Sequence, residues 1–373
     1  VKKPVRHHVY EPWMAANQVK HVTDALNRNE LTFRGSYVPR FEQMLGERLG
    51  AENVVATTSG TTALYAAYRC VFPAWCGLLG CPMNHPRRRV AAPTMTYAAT
   101  VSQLILAGYE PAYYDCGDDF QADVDSFREA VSQPGVVGAV VAPLYTDAPD
   151  MGALREICDE RNVPLVVDAA EAFLCRQGGR EVGSYGRCAT YSFFANKVMT
   201  TGEGGCVTTD DAELAAKVDG FCNHNTPGGY WHDGPGTNFR LTNLQAALGV
   251  AQLEEVDLVV ARKRHVARYY REHLKFEPLV PNRVEESSEW MPVWRLPDYS
   301  YEEFRLHCES RGVEVRPAFY PVHTMPGFGG LKTRDRYLAE SLPGRHFMLP
   351  CHPALSPENL SEIVGVVNSF RGN

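Results

Sequence analysis

The stretch VPLVVDAAEAFLCRQGGREVGSYGRCATYSFFANKVMTTGEGG, residues 163–205, decides the fold. Its two β-rich runs, VPLVVD and CATYSFF, are apolar throughout rather than alternating, the pattern of strands covered by helices on both faces. Asp168 closes the first run and Lys197 stands just beyond the second. Ligands of open α/β sheets gather at the carboxyl ends of strands, so both residues are candidates for a site.

The same rhythm extends outward. NVVATT from Asn53, RVAAPTM from Arg89, PAYYD from Pro111, VVGAVVAPLY from Val136 and GGCVTTD from Gly204 read as further strands. TTALYAAYRC, TVSQLILAG, DVDSFREAVSQ and MGALREICDERN lie between them with apolar residues at helical spacing. Alternation of this kind predicts a large α/β domain across residues 53–209. Ahead of it, Met14, Val19, Val22 and Leu26 predict a helix over Pro12–Asn27. Behind it, a long helical region runs from Leu241 to about Leu274, its first half apolar and its second half arginine-rich. MPVWRLP, EEFRLHCESRG, VEVRPAF and ENLSEIVGVVNSF then predict a smaller α+β ending. The expected division is 1–250 for the large domain with its N-terminal helical segment, and 251–373 for the small one.

Composition narrows the function. With 373 residues, 45% of them hydrophobic, the chain can bury a substantial core. The 37 basic against 44 acidic residues leave a net charge of -7, without the basic field of a nucleic-acid binder. The short run Arg87-Arg88-Arg89 reads as the solvated edge of a strand start. Eleven cysteines without a CxxC pair suit free, mostly buried thiols in a reducing compartment, and no metal site is expected. No run approaches the roughly 18 apolar residues that span a bilayer, so a cytoplasmic enzyme without a membrane partner is the expectation.

Lysines are normally solvated, because burying an unpaired ammonium is costly. Lys197 instead follows the apolar SFF and precedes the tight turn TTGEGG, where a lowered pKa would make it an amine nucleophile toward an aldehyde. Asp168 is either a ligand or the cap of a helix favoured by Ala169, Ala170 and Ala172. SGTTAL, residues 59–64, follows a strand and opens a helix. There Gly60 permits close approach, and the amides of Thr61 and Thr62 would meet an anion, unless the segment is an ordinary threonine-capped start.

Taken together, SGTTAL, APTMTYAAT, VVDAAEAF, SFFANKVMTTGEGG, YWHDGPGTNFRLTNLQAALG and RPAFYPVHTMP resemble the DegT/DnrJ/EryC1/StrS family of sugar aminotransferases, over almost the whole chain. The last three are particularly similar to members that aminate GDP-4-keto-6-deoxymannose. The resemblance implies an α/β fold of the pyridoxal-phosphate-dependent type I class, with a large mixed-sheet domain and a smaller α+β C-terminal domain. It implies pyridoxal 5′-phosphate as cofactor, alternating with pyridoxamine 5′-phosphate, L-glutamate as amino donor and a nucleotide-linked 4-keto-6-deoxy sugar as acceptor.

By the same resemblance Lys197 binds the cofactor aldehyde and Asp168 the pyridine nitrogen. Glu171 lies beside the phenolic oxygen, where many relatives have glutamine, and Tyr97 lies over the ring face. Gly60, Thr61, Thr62 and Ser192 match phosphate-binding positions. Asn238 matches a phosphate ligand given by a second subunit, implying a homodimer with shared active sites. His224, Tyr230 and His232, in the loop HNTPGGYWHDGPG, are candidates for the sugar site or are solvated surface residues. Arg316 and His323 are candidates for sugar-nucleotide contacts, or belong to a strand and its proline-rich turn.

Two departures bear on the pocket. Relatives commonly carry LYG where this chain has Leu144-Tyr145-Thr146, and alanine-histidine-glycine wording where it has Phe173 and Leu174. The competing chemistries are amination of a dTDP- or UDP-linked sugar, sugar dehydration, against which Lys197 speaks because those relatives carry histidine there, and a cofactor-binding homologue without turnover.

Overall fold

The apolar runs form strands because each is roofed on both faces by helices. Leu165–Asp168 is buried at every residue, and Arg89–Pro93 and Glu110–Tyr114 are buried at all but the first. The structure, a computed structural model, describes residues 5–72, 88–145, 147–279, 283–297 and 299–370. Arg87 and Thr146 therefore lie outside the described residues.

Among the described residues the main sheet has eight strands, in the order Asn53–Thr57, Gly205–Thr209, Cys188–Ser192, Leu165–Asp168, Val136–Val141, Arg89–Pro93, Glu110–Tyr114 and Leu331–Lys332. Gly205–Thr209 pairs antiparallel with both neighbours and the remaining pairs are parallel. The carboxyl ends of the strands leading to Ser59, Tyr97, Leu144, Asp168 and Ser192 consequently share one edge. Arg89 begins its strand as expected and pairs with Glu110 at 2.9 Å.

A three-stranded sheet of Val293–Arg295, His346–Met348 and Arg316–Pro317 forms the core of the smaller unit, with helices Tyr301–Glu309 and Pro357–Asn368. Phe304, Phe347 and Trp294 meet there. The units are interleaved. His7 bridges to Val313 and Val9 accepts from the Cys351 amide, while Leu331–Lys332 returns to the edge of the large sheet.

Two helical expectations change. The long region 241–274 is two helices, Asn243–Glu254 and Val256–His273, broken at Glu255. The N-terminal helix is Gln18–Asn27, and it buries two polar residues: Gln18 and His21 face inward with Ala25, whereas Val19 is 72% exposed. The reason is a set of carboxylates at the break between the two later helices. Glu254 receives His21 at 3.0 Å and Asn17 at 2.9 Å, and Glu255 receives Trp13 Nε1 and the Ala16 amide at 2.8 Å.

Candidate active site

Close packing at the sheet edge builds the site. Gly205 lies between Thr57 and Ser192 in the sheet register. A side chain on it would fall 2.5 Å from the Gly60 nitrogen, so its glycine lets the start of helix Gly60–Val71 sit over the strand. Gly60 in turn would place a Cβ 2.7 Å from Ser192 Cβ. Ser59 caps this helix reciprocally with Thr62: Ser59 Oγ accepts the Thr62 amide at 3.1 Å and Thr62 Oγ1 accepts the Ser59 amide at 3.0 Å. The amides of Gly60 and Thr61 belong to the first turn, which has no partners inside the helix and carries the positive end of its dipole.

These groups border a cavity of about 530 Å³. Gly60, Thr61, Tyr97, Asp168, Glu171, Ser192, Lys197 and Arg316 all line it. Asp168 does not cap a helix. The chain turns after it, and its Oδ1 accepts the Ala170 amide at 3.2 Å while Oδ2 accepts the Thr100 hydroxyl at 2.7 Å. Lys197 holds its Nζ 4.2 Å from the centre of the Trp290 ring. Glu171 accepts the Tyr145 amide at 3.0 Å.

Burial and charge act against each other across this floor. Burial pushes the Lys197 ammonium down, and the carboxylates of Glu171 and Asp168 pull it back up. Burial raises Asp168, opposed by its bonds from Thr100 and Ala170 and by the Lys197 charge. Glu171 is pushed up to about 7 by burial, against the pull of Lys197 and the Tyr145 amide. An amine whose charge is disfavoured, beside a carboxyl raised by burial, is suited to taking and returning a proton.

Of the other candidates, all but Arg316 lie elsewhere. Thr62 is committed to the cap. Asn238 pairs with Asn223 in an isolated bridge and accepts from Arg240 at 3.0 Å. His224, Tyr230 and His232 sit on the loop between the bridged residues Asn223 and Asn238, and only Tyr230 is on the tip closed by the bridge between Gly228 and Trp231; His232 contacts the His224 carbonyl at 2.9 Å, and Tyr230 is fully exposed. His323 is outside the cavity lining: its side chain is 1% exposed, paired with Glu340 at 3.0 Å and packed against the rings of Tyr113 and Tyr337. Arg316 borders the cavity with Tyr10, its guanidinium 5.0 Å from that ring and held by Glu314 at 2.8 Å.

The structure adds Thr100, Asn196, Trp290 and Phe319, which sequence reading passed over. Trp290 donates to the Asn196 carbonyl at 2.8 Å across 94 residues of chain, a distance no local pattern reports. Phe319 donates its amide to the Tyr145 hydroxyl at 2.9 Å and places its ring 5.9 Å from that of Tyr97.

The donor set fits pyridoxal phosphate. A helix start pressed against Ser192 offers amides and a hydroxyl to a phosphate, Lys197 offers an amine to an aldehyde, and Asp168 offers a carboxylate to a ring nitrogen. Asn196 Oδ1, buried beside Lys197, has no protein partner among the described residues and is free to accept from a bound group.

The chain is 31% identical to a GDP-perosamine synthase of Vibrio cholerae, over 97% of this chain and 98% of that one. It is 32% identical to a GDP-perosamine synthase of Escherichia coli O157:H7, with the same coverage. Its fold matches that of PseC of Helicobacter pylori, an aminotransferase involved in the biosynthesis of pseudoaminic acid, with a TM-score of 0.87 at 24% identity over 97% of this chain and 98% of the other. Residues 12–368 match the DegT/DnrJ/EryC1/StrS aminotransferase family, to which this chain belongs as a pyridoxal-phosphate-dependent enzyme.

Proposed function

We propose that the enzyme moves an amino group from L-glutamate to C4 of GDP-4-keto-6-deoxymannose, forming GDP-perosamine, as a homodimer with shared active sites. The observation that carries this is one cavity bordered by Lys197, Asp168, Glu171 and the Ser192 cradle, in a chain similar along its length to GDP-perosamine synthases. Pyridoxal phosphate, when bound, supplies an aldehyde for the amine in transit and a protonated ring that draws electrons from the donor carbon. Asp168 holds the proton on the ring nitrogen. Lys197 would hold the cofactor through its aldehyde, and its free amine would take a proton from the donor Cα and return one to sugar C4. Ser192, Gly60 and Thr61 anchor the phosphate, and Tyr97, at 63% exposure, stands at the mouth with its ring available to cover the cofactor face. Arg316 offers a guanidinium to the acceptor's diphosphate.

Dimerisation is supported by exposed apolar groups in two places: Met14, Val19 and Leu26 near the N-terminal helix, and Tyr230 with Trp231 on the loop turn. Sedimentation of wild type against Tyr230→Ala/Trp231→Ala checks the second. Free thiols at the nine described cysteines support a reducing, cytoplasmic setting. Among the described residues no helix is long and apolar enough to cross a membrane. The helix break at Glu255 supports a division of the chain near residue 250.

Incubation with pyridoxal phosphate, glutamate and GDP-, dTDP- or UDP-linked 4-keto-6-deoxy sugars, followed by product mass, tests the assignment. Turnover confined to dTDP or UDP substrates overturns the GDP acceptor. Failure of every amino donor to change the cofactor spectrum overturns amino transfer.

A further inference from the structure

Asp168 is 7% exposed, and burial of that degree disfavours its charged form. Among the described residues its carboxylate has two hydrogen-bond donors, the Ala170 amide on Oδ1 and the Thr100 hydroxyl on Oδ2, and the latter is the shorter at 2.7 Å. Thr100 is itself firmly placed. It lies in the first turn of helix Ala98–Leu106, its carbonyl accepts the Tyr68 hydroxyl at 3.0 Å, and its amide donates to the Tyr97 carbonyl at 3.2 Å.

Behind Thr100 stands a second buried hydroxyl, Thr96 Oγ1, at 2.8 Å. An ionised carboxylate only accepts, so Thr100 spends its single hydroxyl proton on Asp168 and must receive one from Thr96. The three groups form a line with one direction, from Thr96 through Thr100 to Asp168. A neutral Asp168 would remove the constraint that sets this direction. The bond from Thr100 favours the anion, because hydrogen bonds that end on a charge are the strong ones.

We propose that Thr100, backed by Thr96, is a positioning residue that fixes Asp168 as an anion and leaves its remaining lone pairs for the ring nitrogen of the cofactor. This rests on the reading that Asp168 faces that nitrogen. The other titratable groups near Asp168 are Lys197 and Glu171 in the cavity and Tyr68 on helix Gly60–Val71, and substitution of Thr100 alters none of them.

The test uses the full chain and reads pyridoxal-phosphate affinity by absorbance as a function of pH. Thr100→Val keeps the shape and removes the donor. It is expected to weaken binding about tenfold and to move the acid limb of the binding curve up by about one pH unit, because loss of a bond to the anion raises the carboxyl's pKa. Thr100→Ser, which restores a hydroxyl, is expected to recover most of both.

An Asp168→Asn background separates the possibilities. If Thr100 acts through Asp168, Thr100→Val adds less than about twofold there. An undiminished effect in that background, or no shift of the acid limb in Thr100→Val alone, overturns the proposal while leaving Asp168 in its role. If Asp168→Asn binds cofactor and turns over like wild type, the reading beneath the proposal fails and the proposal with it. Should Thr100→Val not fold, the binding curve of Thr96→Val decides: an acid limb moved up supports the line of hydroxyls, and an unmoved limb overturns it.

Discussion

Glu171 accepts the backbone amide of Tyr145 at 3.0 Å, and Tyr145 holds that amide in place from a left-handed backbone conformation with φ 63°. The Tyr145 hydroxyl accepts from Phe319. A carboxyl on the cavity floor is thereby joined, through one residue, to the strand exit that carries Arg316.

Glu171→Gln should broaden the alkaline side of the rate profile. With its pKa pushed up to about 7, Glu171 donates a hydrogen bond as the neutral acid below that pH and only accepts above it. Glutamine donates at every pH. The kcat of wild type is expected to fall between pH 7 and 9 while that of the variant stays level; parallel profiles would remove Glu171 from the phenolic oxygen.

The same substitution has a stability signature. From an ordinary 4.5 to about 7, the unfolded chain has released the Glu171 proton and the folded chain retains it, so this group's contribution falls as pH rises through that window and is constant above it. Glu171→Gln lacks that loss. Urea unfolding at pH 5 and pH 8 should show the variant gaining about 2 kcal/mol on wild type across the interval.

Lys197→Ala should fold and lose function. Removing an amine whose charge is disfavoured by burial spares the fold, while covalent capture of the cofactor is lost and kcat drops by roughly a thousandfold or more. Borohydride reduction followed by mass measurement checks the attachment. A labelled protein without Lys197 would show that another amine is the nucleophile.

Gly60→Ala forces a methyl to within 2.7 Å of Ser192 Cβ. Overpacking at such a contact costs about 1–3 kcal/mol, and the phosphate cradle is expected to open with it. Calorimetry should show a lower Tm and titration a weaker cofactor Kd, with kcat at saturating cofactor much less affected.

His323→Ala distinguishes a packing role from a substrate role. The ring is enclosed by Tyr113, Tyr337 and Glu340, so its loss should cost about 2–4 kcal/mol of stability and leave the sugar KM within about twofold. A raised KM at unchanged stability would return His323 to the substrate.

The strands of residues 53–209 were legible because a strand roofed on both faces has nothing but apolar neighbours, a requirement written directly into its composition. Asp168 and Lys197 stood out for the same reason, as polar residues at the edges of such runs. The N-terminal helix misled because periodicity assumes that the buried side is the apolar one, and the carboxylates of Glu254 and Glu255 reverse that by giving His21, Asn17 and Trp13 partners from more than 200 residues away. Thr100 had no local mark, since the carboxylate it touches lies 68 positions along the chain. Leu174 is left-handed at φ 58°, and its amide is tied to Glu181 at 3.1 Å. A leucine there is no signal of a turn, so sequence reading passes over it.

The strand Leu331–Lys332, lent by the C-terminal half to the edge of the large sheet, and His7 and Val9, lent by the N-terminus in return, tie the two halves at both ends. Neither half is a detachable block. A protease nick near Glu255 should leave two fragments that co-migrate until denatured, and any movement of one half against the other has to flex against these stitches rather than swing on a single linker.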